Sequence, residues 1–289
     1  MNRDDKTAKQ TLMEFVEAAG SPEAWPAVES LLRRAVNVVA DEWSKSAASD
    51  KPLKIDVKQV VKDLGAGAMN ADLQQFFLGN HRFIAQLAEK NRRAAVDTYD
   101  FVDSEMPSAM FNPKQMDVIA SRKEQIMKLK GYILDLGVYK GSSTRSLAKI
   151  FPNETIHGFD SFEGLPGDWS HVLKGTFGDV KGILPEMPDN VKLYKGWFDD
   201  TLPVWFSGHD DRPISLLRVD CDIYSSTKTI FDVLGSQVKS GTCIVFDELI
   251  GYRGWRDHEH KAFSEFQART GLEFEYIAFG LTYAMGFVK

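Results

Sequence analysis

The length, composition and charge of the chain exclude several classes of protein. Its 289 residues are 43% apolar and 26% charged, which is ordinary for a globular protein and leaves room for one large domain with an extension. The net charge of −6 argues against a nucleic-acid-binding surface, and no apolar run is long enough to span a membrane. The N-terminus lacks the apolar stretch of a secretory signal. Cys221 and Cys243 lie in apolar runs without CxxC spacing, so we expect two buried thiols in a cytoplasmic protein.

The first part of the chain is predicted to be helical. Three of its segments repeat apolar residues at helical spacing: residues 8–19, 22–47 and 70–96. A loop is expected at 106–113, followed by a helix over 114–129. We therefore predict an N-terminal helical region over residues 1–114 and a second domain over residues 115–289. The apolar surface of the helices within residues 8–47 also raises the hypothesis of a homodimer.

After residue 130 the chain alternates short β-rich runs with helical stretches, which predicts a parallel sheet covered by helices on both faces. The runs are 132–137, 155–159, 191–195, 214–220, 242–247, 273–279 and 283–288. The last two are too close together for a parallel crossover, so they must form an antiparallel hairpin. A doubly wound, mostly parallel seven-stranded sheet with such a hairpin is the Rossmann-like arrangement of class I methyltransferases, and it fits a nucleotide dehydrogenase less well.

Acidic residues follow two of the apolar runs. Asp220 ends one run, and the adjacent pair Asp247 and Glu248 ends another. Carboxylates are costly in a core, so acids at the tips of buried strands indicate a cleft, where the carboxyl ends of parallel strands meet. Three hard oxygen donors converging there suit Mg²⁺ better than zinc. The sequence therefore predicts a magnesium site. Asp222 either orients Asp220 or caps the helix that starts near Ser225.

A glycine-containing turn follows the first predicted strand. Gly137 and Gly141 let the backbone turn sharply and approach a ligand, and the next helix offers free N–H groups to an anion. The spacing of the glycines fits neither a P-loop nor the dinucleotide GxGxxG motif. Alone, the pattern is also that of a tight turn between a strand and a helix.

Two further strand ends favour a nucleoside ligand. Asp160 ends the second strand roughly 20 residues beyond the glycines, where a carboxylate commonly accepts bonds from ribose hydroxyls. It could instead cap the turn that begins at Ser161. Residues 196–199 follow the third strand, where an adenine ring would be sandwiched, although they could also form an aromatic corner of the core.

Three segments resemble one known family. They are Asp-Ser-Phe-Glu-Gly-Leu-Pro over residues 160–166, Val-Asp-Cys-Asp-Ile-Tyr-Ser-Ser-Thr over 219–227, and Val-Phe-Asp-Glu over 245–248. These strings are similar to those of the macrocin O-methyltransferase (TylF-type) family, whose members methylate sugar hydroxyls on antibiotics with S-adenosylmethionine and Mg²⁺. The resemblance covers residues 115–289, and residues 133–148 also resemble the cofactor loop of catechol O-methyltransferase.

The resemblance implies roles for the matched positions. The implied cofactor contacts are Gly137, Tyr139, Gly141 and Ser143 around the methionine portion, Asp160 at the ribose, and Gly196, Trp197, Phe198 and Asp199 around the adenine. Asp135 and Ser161 are also expected to bind the cofactor. The implied metal ligands are Asp220, Asp247 and Glu248. Two positions depart from the family pattern, because Asp135 stands where a glutamate is usual and Glu248 where an aspartate or asparagine often stands.

The expected activity is Mg²⁺-dependent and S-adenosylmethionine-dependent O-methylation of a small metabolite, namely a sugar or glycoside of natural-product or polysaccharide biosynthesis, or a catechol-like diol. Coordination to Mg²⁺ would lower the pKa of the acceptor hydroxyl. Asp220 is the expected base, and His258 is a rival catalytic residue. The alternatives are a metal-independent methyltransferase that uses His258, and a catalytically inactive module that binds S-adenosylmethionine.

Overall fold

The computed structural model describes residues 81–169 and 173–289 of the chain, with side chains from residue 92 onwards. The predicted helices over residues 8–19 and 22–47, and the first part of the one over 70–96, lie outside the described residues. The chain divides into two compact units, Met1–Arg93 and Ala94–Lys289, and every side-chain contact described below lies within the second. The predicted division at residue 114 stays a prediction.

The described elements alternate between helices and strands along the chain. In order they are α1 His81–Glu105, β1 Met110–Phe111, α2 Gln115–Ser121, α3 Lys123–Ile126, β2 Tyr132–Leu136, α4 Ser142–Ile150, β3 Ile156–Asp160, β4 Val191–Lys195, α5 Phe198–Ser207, β5 Ile214–Val219, α6 Tyr224–Leu234, β6 Cys243–Phe246, α7 Glu259–Thr270, β7 Phe274–Phe279 and β8 Ala284–Val288. Short 3₁₀ turns occupy Gly178–Val180, Gly235–Gln237 and Trp255–Asp257.

The strands form one sheet in the order β1-β7-β8-β6-β5-β2-β3-β4. Among the described strands, β8 runs antiparallel to both of its neighbours, β6 and β7, and the other pairs are parallel. The predicted mostly parallel, doubly wound sheet and its terminal hairpin are therefore confirmed. The strand beyond the seven predicted runs is the short edge strand β1, which lies in the segment expected to be a loop.

The apolar runs that form the central strands are buried in the structure. The central strands β2, β5 and β6 are buried along their whole length, whereas the edge strand β4 is buried only in part. Continuous apolar runs are typical of parallel strands with helices on both faces. The buried apolar side chains accordingly form two clusters, each with helical residues packed against strand residues. Cys221 and Cys243 are both buried free thiols, as expected.

Two predicted helices have different bounds in the structure. Helix α1 continues to Glu105, beyond the predicted end at residue 96, because its last turns bury Phe101 in the core. The predicted helix over 114–129 is divided into α2 and α3 at Arg122, whose φ of −103° departs from helical geometry. No helix in the described ranges combines the length and apolar character that crossing a membrane requires.

The C-terminal half of α1 is attached to the segment between β6 and α7. The Arg256 Nε donates to both carboxylate oxygens of Asp97, at 2.9 and 2.8 Å, and the Gly251 N–H donates to Thr98 Oγ1 at 3.0 Å. The Phe101 ring packs edge-on against the buried Trp255, with ring centroids 5.2 Å apart. This part of α1 therefore covers the loop that follows the second acidic strand end.

Candidate active site

A cavity of about 440 Å³ opens at the carboxyl ends of the central strands. One wall comes from the loops after β2, β3 and β4, and the other comes from the loops after β5 and β6. In open α/β sheets this is the edge at which ligands bind. Its lining includes Gly137, Tyr139, Asp160, Ser161, Gly164, Leu165, Pro166, Trp169, Phe177, Gly196, Trp197, Phe198, Asp199, Asp220, Cys221, Asp222, Ser225, Ser226, Thr229, Asp247 and Glu248. The two groups of residues predicted from the sequence therefore face one space.

The turn after β2 needs glycine at Gly137. Its φ is +111°, and a Cβ there would lie 1.7 Å from the Asp220 carbonyl oxygen. Any side chain would therefore push apart the ends of β2 and β5. Gly141 is the N-cap of α4, and neither it nor Ser143 lines the cavity. Of this loop, Gly137 and Tyr139 face the ligand space.

Asp160 organises the cofactor side of the cavity through three backbone bonds. Its Oδ2 accepts from the N–H groups of Val138, at 2.8 Å, and Tyr139, at 2.7 Å. Its Oδ1 accepts from the Phe162 N–H at 2.6 Å. The carboxylate thus caps its own turn, as one sequence interpretation had it, and also fixes the loop after β2 while lining the cavity.

The corner after β4 supplies the remaining part of this wall. Gly196, Trp197, Phe198 and Asp199 all line the cavity, with Trp197 36% exposed. The Asp199 Oδ1 accepts a hydrogen bond of 2.7 Å from Thr229 Oγ1 of α6. Trp197 and Asp199 therefore face the ligand space, and Phe198 lines it while also packing against the core.

The opposite wall is acidic. Carboxylate oxygens of Asp220, Asp222 and Glu248 lie within 4.8 Å of one another, a spacing that suits a metal ion. Glu248 Oε2 is buried and has no hydrogen-bond partner among the described residues. Asp247, predicted to complete the metal set, also lines the cavity but lies outside this close group. The structure thus brings Asp222 to the site beside two of the three predicted ligands.

Burial dominates the electrostatics of these acids. It raises the pKa of Asp220 well above its usual range, against the opposing effect of the Arg218 charge. Burial and the charge of Asp247 raise the pKa of Glu248 in the same way, and raise the pKa of Asp222 to about 7. A divalent cation would reverse these shifts, because nearby positive charge favours ionised carboxylates.

Asp222 does not cap the following helix. Helix α6 begins at Tyr224 with Ile223 as its N-cap and without a side-chain cap bond. Asp222 itself has a φ of +66°, which is uncommon for a residue other than glycine. Non-glycine residues in this region of backbone space are concentrated at functional sites. Its orientation toward the cavity therefore fits the interpretation in which it acts together with Asp220.

A buried arginine lies beneath the acidic wall. Arg218 of β5 is 3% exposed. Its Nη2 donates to Asp220 Oδ2 at 2.8 Å and to Asp247 Oδ1 at 2.7 Å, while its Nη1 donates to Asp135 Oδ1 at 3.0 Å. Arg218 was not among the residues predicted for the site. Its signal was a charged residue within an apolar strand, two positions before Asp220 and therefore on the same face.

Besides Gly141, three predicted site residues lie outside the cavity lining, namely Asp135, Ser143 and His258. Asp135 is fully buried outside the cavity lining, where it accepts bonds from Arg218 and from Thr144 Oγ1, the latter at 2.6 Å. Ser143 lies on α4, as noted above. His258 is likewise absent from the described lining, and burial lowers its pKa. Its neighbour Glu259, which was not predicted as a site residue, is buried and accepts a hydrogen bond of 3.2 Å from the Glu248 N–H.

The strand order of the sheet defines the fold class. A doubly wound sheet whose antiparallel strand β8 lies between β6 and β7 has the strand order of the class I methyltransferase fold. Residues 184–278 match the family model described as macrocin-O-methyltransferase (TylF). The family resemblance seen in the sequence is thereby confirmed over that segment.

The individual relatives have low sequence identity to this chain. A curated 8-demethyl-8-(2,3-dimethoxy-alpha-L-rhamnosyl)-tetracenomycin-C 4'-O-methyltransferase from Streptomyces olivaceus is 25% identical over 167 residues, which cover 48% of this chain and 61% of that protein. The chain thus matches less than two thirds of that relative's length. Among solved structures, the O-methyltransferase NovP is 22% identical with a TM-score of 0.46, covering 60% of this chain and 78% of NovP. The calicheamicin methyltransferase CalS11 is 18% identical with a TM-score of 0.47, covering 93% of each chain.

Proposed function

We propose that the chain is an S-adenosylmethionine-dependent and Mg²⁺-dependent O-methyltransferase that acts on a hydroxyl group of a small metabolite. The observation that carries this proposal is that two groups of residues line the same cavity. The Gly137 turn and Asp160 form one wall, and the cluster of Asp220, Asp222 and Glu248 forms the other. A nucleoside on the first wall would place its reactive end toward the second.

The first wall fits S-adenosylmethionine. It offers a carboxylate at Asp160, an open backbone at Gly137 and the aromatic side chains of Trp197 and Phe198. These are the groups that a ribose, a close-lying main chain and an adenine ring require. We propose that Tyr139, Ser161, Gly196 and Asp199 complete the cofactor contacts, while Asp135, Gly141 and Ser143 support the loop from behind.

The second wall fits a hard divalent cation. The buried Glu248 Oε2 has no partner among the described residues, and carboxylate oxygens of Asp220 and Asp222 converge with it. Burying so many acids is costly unless positive charge compensates them. Asp220 and Glu248 are the proposed ligands. Asp247 is the third ligand expected from the sequence, and Asp222 competes with it for that place.

The residues of the chain divide the chemistry among them. When bound, S-adenosylmethionine supplies the electrophilic methyl group, and Mg²⁺ supplies Lewis-acid activation of the acceptor hydroxyl. The acidic wall orients the acceptor, and Asp220 accepts the hydroxyl proton at a carboxylate oxygen. Trp197 and Phe198 on the opposite wall exclude water from the cofactor side. Correct placement of both reactants can contribute on the order of 7–11 kcal/mol.

The proposed acceptor is a sugar or glycoside. The cavity is also lined by Pro166, Trp169, Ser225 and Ser226, which offer apolar rings and hydroxyl groups. Such a lining suits a ring that carries several hydroxyls. The tetracenomycin relative is named for methylation of a rhamnosyl derivative, which supports the same class of acceptor. A catechol-like diol is the second acceptor to test.

The test begins with calorimetry of S-adenosylhomocysteine binding, with and without Mg²⁺, on the full chain. Glycosides and catechols are then screened for methyl transfer in Mg²⁺ and in excess chelator. We expect cofactor binding in both conditions, and turnover that is lost on chelation and restored by added Mg²⁺.

Each other outcome selects an alternative. Turnover that survives exhaustive chelation would support a metal-independent enzyme, with His258 as the base to test next. Binding of S-adenosylhomocysteine without turnover of any acceptor in the screen would favour an inactive binding module. The cytoplasmic location and the homodimer stay predictions, and sedimentation at several protein concentrations tests the dimer.

A further inference from the structure

Arg218 joins the ends of three strands beneath the acidic wall. Its guanidinium contacts Asp135 of β2, Asp220 at the end of β5 and Asp247 at the end of β6. All three bonds are between 2.7 and 3.0 Å long. A planar guanidinium holds its donors in a fixed fork, so it fixes the orientation of its partners more firmly than a lysine would.

The guanidinium contacts one carboxylate oxygen of each of the two cavity acids, Asp220 and Asp247. Nη2 contacts Oδ2 of Asp220 and Oδ1 of Asp247. The two carboxylates are 27% and 29% exposed, although Arg218 is buried, and both line the cavity. Each carboxylate is therefore anchored from inside the protein while part of it faces the ligand space.

Gln115 closes this arrangement into a ring of hydrogen bonds. The Arg218 Nε donates to Gln115 Oε1 at 2.8 Å, and Gln115 Nε2 donates to Asp247 Oδ1 at 2.8 Å. Asp247 Oδ1 thus accepts from both neighbours, which determines the rotation of its carboxylate. Gln115 is the first residue of α2, so this helix, outside the sheet, takes part in orienting the acid.

We propose that Arg218, together with Gln115, is a positioning unit that orients Asp220 and the adjacent Asp247 toward the cavity so that the acidic wall can bind a divalent cation. This inference rests on the proposed function, because it concerns the same cation. Arg218 contacts neither acceptor nor cofactor in this scheme, since it acts through the two carboxylates. Partners of this kind behind metal ligands typically change metal affinity about 10–100-fold when they are removed.

A purely structural role makes a different prediction. If Arg218 only neutralised the buried Asp135, loss of Gln115 would leave the contact between Arg218 and Asp135 in place and would not change cation binding. Gln115 therefore separates the two roles. Its side chain is only partly buried, so its replacement disturbs the core less than replacement of Arg218.

The experiment measures Mn²⁺ binding to the full chain without cofactor or acceptor, by electron paramagnetic resonance of free Mn²⁺. The variants are Gln115→Met, which removes both amide contacts at similar length, and Arg218→Lys. The matched control is Gln267→Met, since Gln267 is also partly buried and donates through its amide, at 3.4 Å to the Leu272 carbonyl near the end of α7. S-adenosylhomocysteine affinity reports whether each variant keeps its fold.

We expect the Kd for Mn²⁺ to rise about tenfold in Gln115→Met and further in Arg218→Lys, with wild-type affinity in Gln267→Met. S-adenosylhomocysteine affinity should stay within about twofold in Gln115→Met and Gln267→Met, because neither change touches Asp160 or Asp135. Wild-type Mn²⁺ affinity in a folded Gln115→Met would overturn the inference and leave the proposed function intact. A wild-type chain that binds S-adenosylhomocysteine but no Mn²⁺ would overturn both the metal requirement and the inference.

Discussion

The carboxylates on the two walls of the cavity differ in the hydrogen-bond donors that they have. On the cofactor wall, one carboxylate, Asp160, accepts three backbone N–H groups from two loops. On the acidic wall, several carboxylates crowd around the guanidinium of Arg218, and Glu248 keeps a buried oxygen without a partner among the described residues. Backbone donors complete the first wall, whereas the second has an excess of negative charge.

This difference implies that the two walls can be disturbed separately. A change on the cofactor wall should alter nucleoside affinity and leave cation binding nearly unchanged. A change on the acidic wall should do the reverse. Effects at separate sites with no shared partners are usually close to additive.

The largest effect is expected at the acidic wall. Asp220→Asn removes a negative charge from the proposed cation site and the proposed base while keeping the shape of the side chain, so turnover should fall about 10³-fold or more. The affinity for S-adenosylhomocysteine, measured by calorimetry, should change by less than about threefold, since the Asp160 contacts persist. Asp210→Asn, an exposed acid paired with Arg212, is the control. Turnover near the wild-type rate in Asp220→Asn would contradict the assignment.

The second effect concerns the cofactor wall. Asp160→Ala removes three hydrogen bonds from the loops that face the cofactor, and the proposed ribose contact with them. We expect the Kd for S-adenosylhomocysteine to rise about 10–100-fold, in line with the loss of one or two charge-assisted hydrogen bonds. Mn²⁺ affinity should remain at the wild-type value. A loss of Mn²⁺ binding with intact nucleoside binding would show that the two walls are not separable in the way proposed.

The smallest effect lies beneath the cofactor wall, at His157 of β3. The Trp205 indole N–H, which can only donate, donates a hydrogen bond of 3.2 Å to His157 Nδ1, so that nitrogen carries no proton. Burial, with repulsion from His209, Lys192 and Arg212, lowers the pKa of His157 from 6.5 to about 4. Above pH 6.5 the ring is neutral in both the folded and the unfolded chain and adds no pH dependence.

Between pH 6.5 and about 4, the unfolded chain binds a proton at His157 that the folded chain excludes, so the free energy of unfolding falls as the pH falls. We expect a loss of roughly 1–2 kcal/mol, because solvent screens the repulsion from the exposed Lys192 and Arg212. His157→Asn keeps an acceptor near the indole but does not titrate, so its urea unfolding should lose less stability over this range. An identical pH profile in the variant would exclude this role.

The sheet could be predicted because its strands are marked by patterns between residues that are close together in the sequence. Continuous apolar runs, helical spacing between them and a short final connection were enough to predict the strands and the antiparallel hairpin. The two-residue strand β1 could not be predicted in this way, since Met110 and Phe111 are largely exposed and are strands only through pairing with Ala278 and Phe279.

The site residues that could be predicted are those that directly follow the end of a strand. Asp160, Asp220 and Asp247 were found because strand ends meet at one edge of a parallel sheet. Gln115 could not be found, because its partner Arg218 lies 103 positions away along the chain. Glu259 was missed because an acid at the start of a helix is ordinary in sequence, and only the packing of α7 shows that it is buried.

The attachment of α1 to the loop after β6 has a practical consequence for producing fragments of this protein. A chain shortened to begin at residue 115 would lose Asp97, the carboxylate partner of Arg256, and Phe101, which covers the indole of Trp255. The exposed apolar surface would then favour aggregation during expression. A fragment intended for crystallisation or isotope labelling should therefore start upstream of residue 94, so that the last three turns of α1 remain in place.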